Sequence, residues 1–120
     1  MASEIEARGS LTFYKSGGGD GLDFGFTSNM TGAKSTKVKQ SIPTTEEALQ
    51  LGEVAAGGLC IIKNLDGTNF VAIKAAAGAT PLIRINAGES AAFRLHGSAS
   101  APVAQADTAA VVIQFILLEA

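Results

Sequence analysis

The chain carries one histidine, His96, and one cysteine, Cys60. A histidine works as a general base only with an orienting partner and a nucleophile in reach. Nothing around His96 marks either, so a surface or strand-end position is expected. Cys60 lies in an apolar segment, where a free thiol behaves as a small hydrophobe. A nucleophilic thiol needs an electropositive, accessible setting instead, and a lone cysteine makes no internal disulfide. Gly32-Ala33-Lys34-Ser35-Thr36 has the look of a phosphate loop but fails its spacing: Ala33 precedes the lysine and Ser28 stands where the first glycine belongs. Asp20 and Asp23 in the glycine-rich stretch 17–23 fall short of the several oxygen ligands at fixed offsets that calcium needs. Asn29-Met30-Thr31 matches a glycosylation triplet, idle without secretion. No catalytic residue, cofactor site or metal site is therefore assigned.

With reactive side chains this scarce, function must come from shape and surface. The chain has 120 residues, 47% of them hydrophobic and 17% charged. That suits one packed domain over residues 1–120 and excludes long disorder. The net charge of −2 argues against a nucleic-acid binder, which concentrates basic residues on one face. The 21 Ala and 14 Gly, with only seven aromatics, make a light core, and partner subunits commonly supply what such a core lacks. Met1–Glu6 has neither the basic nor the apolar part of a secretory signal. The runs Ala109–Ile113 and Phe115–Leu118 fall far short of the ~20 residues of a membrane helix. Synthesis as a cytosolic product, with no membrane partner, is expected.

Period-two alternation dominates and predicts strands. Ile5, Ala7, Gly9, Leu11 and Phe13 share one face of a first strand, and Leu22, Phe24 and Phe26 one face of a second. Gly17–Gly21 between them reads as a flexible loop. In Lys34–Ile42, Val38 and Ile42 oppose Lys37 and Lys39, the pattern of a protected edge strand. Thr44 and Glu47 form a capping box, predicting a short helix near residues 44–51. Asp66-Gly67 between Leu59–Leu65 and Thr68–Ile73 predicts a two-residue hairpin pairing Ile62 with Val71. Its core face is Cys60, Ile62, Val71 and Ile73; its other face, with Ile61 and Phe70, is too apolar for plain solvent. Pro81–Ile85 and Ser90–His96 predict another hairpin around Asn86–Glu89, and Gly97–Pro102 a soft loop. Ala109–Glu119, apolar on both sides, reads as a central strand. The sum is an all-β, single-domain β-sandwich with one short helix, the jelly roll being one form it can take.

Two segments also resemble a known group. Asn64-Leu65-Asp66-Gly67-Thr68-Asn69-Phe70-Val71 and Ile85-Asn86-Ala87-Gly88-Glu89-Ser90-Ala91-Ala92-Phe93-Arg94-Leu95, followed by a small polar loop and an apolar last strand ending in an acid, resemble small β-sandwich virion proteins of tailed bacteriophages. The resemblance covers residues 47–120. It implies a structural subunit of the virion, within that class a capsid decoration (cement) protein. Such a protein would bind the major capsid protein on the outer shell as a homo-oligomer, with a trimer favoured, and stabilise the shell by mass action. Ile61 and Phe70 are the expected apolar contacts, and Ile5–Arg8, with Ile5 and Arg8 at its ends, a candidate part of an N-terminal arm over residues 1–10. The other reading of these residues has them face the second sheet of their own chain. A tail, baseplate or receptor-binding component is the rival within the class. A small-molecule-binding jelly-roll module of cupin type is the rival outside it, and would want clustered His and Glu ligands. A cytosolic regulatory or chaperone-like module is a third.

Overall fold

A computed structural model describes residues 4–30, 32–54, 57–96 and 101–119. It is all-β and forms two compact units, Met1–Thr31 and Gly32–Ala120. The single-domain reading spanned both; the sandwich itself lies wholly in the second.

The first unit is a two-stranded antiparallel ribbon of β1 (Ile5–Lys15) and β2 (Gly18–Ser28). Ser16 and Gly17 both have positive φ, 54° and 80°. That is the type I′ reversal whose twist matches that of paired strands. The glycine stretch is thus no loose loop: Gly18, Gly19 and Gly21 sit in the ladder opposite Lys15, Tyr14 and Thr12. Glycine keeps its ladder N–H, and with the turn set at Ser16-Gly17 the long β1 carries pairing through it. The ribbon's open end is tied by Met30 N–H, which donates to Glu4 Oε1 at 2.9 Å.

The second unit holds eight strands: β3 (Ser35–Ile42), β4 (Glu47–Ala48), β5 (Gly57–Asn64), β6 (Val71–Lys74), β7 (Ile83–Ile85), β8 (Ser90–Arg94), β9 (Val103–Ala106) and β10 (Val111–Glu119). They form two four-stranded sheets, ordered β3-β10-β5-β8 and β4-β9-β6-β7. The pairs β3·β10, β4·β9, β5·β8 and β6·β7 are nested, as if one long hairpin had been rolled up. This is the jelly-roll arrangement. Between the sheets lie Ile42, Ile62, Ile113, Phe115 and Leu117 from one side and Val71, Ile73, Ile85, Ala104 and Ala106 from the other, all buried. The final strand is central, and Lys34–Ile42 supplies an edge strand, both as the alternation predicts.

Three local expectations are corrected. Residues 44–51 form no helix. The short β4 pairs with β9 there, and the buried Gln40 side chain claims the segment's polar groups. Gln40 Nε2 donates to Glu47 Oε2 (2.8 Å) and Ala48 O (3.0 Å), and Gln40 Oε1 accepts from Gln50 N–H (3.0 Å). The Asp66-Gly67 hairpin does not form either, because β5 and β6 belong to different sheets. Asn64 and Asp66 make a corner of this stretch. The Asn64 side chain donates to the carbonyls of Asn69 (2.9 Å) and Ile85 (3.1 Å) and accepts from Asp66 N–H (2.8 Å). The Asp66 carboxylate accepts from Asn69 N–H (2.7 Å) and Thr68 N–H (2.9 Å). Asn86–Glu89 does turn, with Glu89 N–H on Asn86 O, yet it too carries the chain from one sheet to the other. Of the soft stretch 97–102, residues 97–100 lie outside the described residues, as do residues 1–3 of the expected arm.

Asn64 is 2% exposed, and its bond to the Ile85 carbonyl is buried. Asn64→Leu keeps the branched shape, though not the volume, and leaves two carbonyls and an N–H without their partner. A loss of about 2–4 kcal/mol is expected in urea unfolding.

Candidate functional site

The strand register assembles one face whose neighbours are far apart in sequence. On the sheet β3-β10-β5-β8, residues facing away from the core come in rows across the strands. Lys37 stands opposite Ile116, Ile116 opposite Ile61, and Ile61 opposite Ala92. In the next row Lys39 faces Gln114, Gln114 faces Lys63, and Lys63 faces Ser90, while Leu59 pairs with Arg94. Ile61, Val112 and Ile116 are 36–43% exposed, and Lys37, Lys39, Lys63 and Arg94 ring them in solvent. No outward position of these four strands carries a carboxylate. Among the described residues, the ion pairs are Arg8–Glu6, Lys34–Glu53 and Lys74–Glu46, so none engages these four cations. A shallow depression of about 170 Å³ lies between Lys37, Ile61, Lys63, Gln114 and Ile116. The face combines an apolar centre with an unneutralised cationic rim.

The residues expected at an interface separate. Ile61 lies in the centre of this face. Phe70 is half-buried beside the corner, with the Arg84 guanidinium 3.9 Å from its ring centre. Ile5 and Arg8 lie in the ribbon: Ile5 is buried, and Arg8 is exposed with its guanidinium 3.4 Å from Glu6. Sequence reading set Lys37 and Lys39 on one side of an edge strand but missed Lys63 and Arg94 as their companions. Each alternates correctly against core residues, yet only the pairing of β10 between β3 and β5, and of β8 with β5, puts them on one face.

The residues weighed for chemistry sit as follows. Cys60 is 1% exposed, and burial pushes its thiol up to about 12. Its expected behaviour is silence towards a soluble disulfide reagent at neutral pH until the protein is unfolded. His96 is exposed and lies with Arg94 and Lys74 along an open, mainly apolar pocket of about 360 Å³ between Ile73, Leu82, Phe93 and Pro102. Lys74 Nζ is already held by Glu46 (2.9 Å) and Gln105 (2.6 Å). Asp20 and Asp23 point to opposite sides of the ribbon, and among the described residues no group of three His, Cys, Asp or Glu side chains could hold a metal. No described helix is long and apolar enough to cross a membrane.

Two acids report on the folded state. N–H groups of Asn69 and Thr68 hold Asp66 below the usual carboxylate range. Glu46 is held low by the Lys74 ammonium and the Gly78 N–H. A lowered folded pKa contributes stability above the unfolded value, and that contribution is lost as pH falls through the folded one. Melting temperature should therefore drop on acidification below the ordinary carboxylate range, and Asp66→Asn should make that acid limb shallower.

No family model matches the chain, and neither the curated proteins nor the solved structures contain a significant match.

Proposed function

We propose that this chain is a structural subunit of a tailed-phage virion, a capsid decoration (cement) protein that binds the outer shell as an oligomer, stabilises it and does no bond chemistry. The observation that carries the reading is the outward face around Ile61, where apolar side chains are ringed by Lys37, Lys39, Lys63 and Arg94 with no carboxylate among them. Such a face fits an acidic protein surface with an apolar centre, here the major capsid protein. Aromatics for base stacking are missing from it, which disfavours nucleic acid. Complementary charge sets orientation and encounter rate, and the apolar centre supplies the desolvated contact. Many copies gripping the assembled shell, and not its free subunits, would stabilise it by mass action. The two motifs that resemble phage virion proteins point the same way. The protein would be made in the host cytoplasm and reside in the virion.

The pocket beside His96 favours a second reading, a jelly-roll module for a small anionic amphiphile, since its volume falls in the range of ligand sites.

Co-sedimentation with intact and with emptied phage particles separates these. Copies on the order of hundreds per particle are expected for a shell-wide protein, whereas about a dozen or fewer assigns it to the tail or baseplate. Lys37→Glu with Lys63→Glu should cut occupancy at least tenfold, and high salt should weaken it as screening requires. Ile61→Asp should do the same while the protein still melts cooperatively. Phe70→Asp tests the other expected contact: lost binding in a folded protein makes Phe70 interfacial, and an unfolded product makes it internal. No binding to either kind of particle overturns the reading.

A further inference from the structure

Directly opposed residues of an antiparallel pair project to the same side. In the ribbon this rule collects Ala7 with Phe26, Gly9 with Phe24, Leu11 with Leu22 and Phe13 with Asp20 onto one face. The other face holds Glu6, Arg8, Ser10, Thr12, Tyr14, Asp23 and Thr27. The division is nearly complete: the charges on the apolar side are Lys15 and Asp20, both next to the reversal. Yet that side is open to solvent, with Leu11 63%, Phe13 59%, Leu22 70%, Phe24 51% and Phe26 42% exposed. The Phe24 ring lies across Gly9, where a Cβ would collide with it. The glycine thus lets the ring lie flat and keeps the face level.

A lone two-stranded ribbon is marginal in water and needs a further layer on its apolar side. We propose that this layer is the ribbon of a second copy of the chain, packed apolar face to apolar face. Three observations favour a second copy over another partner. First, the face complements itself: its charges, one Lys15 and one Asp20, are confined to the reversal end, and two copies set against each other oppose apolar rows. Second, the area suffices. The five exposed side chains present roughly 500 Å² of apolar surface per copy, taking the usual area of such side chains. Two copies would bury about 1,000 Å², the lower bound for a specific interface. Third, the polar side chains lie on the far side, apart from Lys15, Asp20 and Ser28 at the ends of the ladder, so they stay solvated when the faces meet. This deepens the oligomeric part of the decoration reading and rests on it only there; its test uses the pure protein, so it can fail while shell binding holds.

The experiment is sedimentation equilibrium of the purified full chain over a dilution series, at low and at high salt. The expected result is a species of at least twice the 12.2 kDa chain mass, undiminished by salt because the contact is apolar. Leu22→Asp with Phe24→Asp should return it to monomer while the melt stays cooperative. Tyr14→Asp, on the polar face, should leave association intact. If the double variant does not fold, the milder Leu22→Ser should still raise the dissociation constant at least tenfold. A wild-type monomer throughout the series overturns the proposal; if the double variant then also lowers the melting temperature, the face is covered within its own chain. An oligomer that Leu22→Ser and the double variant leave unchanged overturns it equally.

Discussion

The sandwich depends on how the chain crosses between its sheets, and the crossing after β5 turns on one buried amide. Asn64 ends a strand of one sheet and binds the carbonyl of Ile85, which ends a strand of the other. It also binds the carbonyl of Asn69 and the N–H of Asp66 within the corner itself. Both of its donors and its acceptor are thus used at a place water does not reach, where an unmet polar group is costly. Thr108 adds an outer brace by donating to Asn69 Oδ1 at 2.8 Å. The corner therefore ties together the loops after β5, β7 and β9.

This arrangement explains what the sequence revealed and what it concealed. The two-residue alternation is a local property, and it identified Cys60, Ile62, Val71 and Ile73 as core, Lys37 and Lys39 as opposite Val38 and Ile42, and Ala109–Glu119 as a central strand. Pairing partners are not local. Asp66-Gly67 is a strong reversal signal, but the reversal needs the flanking strands to hydrogen-bond each other, and here the Asp66 carboxylate binds its own following N–H groups instead. The core assignment survived the wrong pairing because each residue's side of its strand is set by parity, whichever sheet that strand joins. The capping box of Thr44 and Glu47 failed for a similar reason: Gln40, in the preceding strand, takes the Glu47 carboxylate. β9 escaped notice because Val103–Ala106 is a short run of small residues lying next to a soft, proline-bearing stretch. The rim of four cations was invisible for want of the registers of β10 and β8.

The two units obey opposite rules. In the jelly roll the apolar rows face inward and the outward rows are mixed. In the ribbon an equally clean apolar row has no second sheet within its own unit. The segments Asn64–Asn69 and Ile85–Glu89 fall in the jelly roll and turn corners between its sheets. Their polar residues serve architecture, and the outward face around Ile61 is built from other strand positions.

The nested pairing has a kinetic side. The outermost pair joins Ser35 to Leu118, so the roll closes only after most of the chain has found its place. Folds dominated by such distant pairings form on the order of milliseconds to seconds. The ribbon is one hairpin with a two-residue reversal, and hairpins form on the order of microseconds. The hairpin can therefore pair and open many times before the sandwich that follows it closes, and the two units reach their structures on separate clocks.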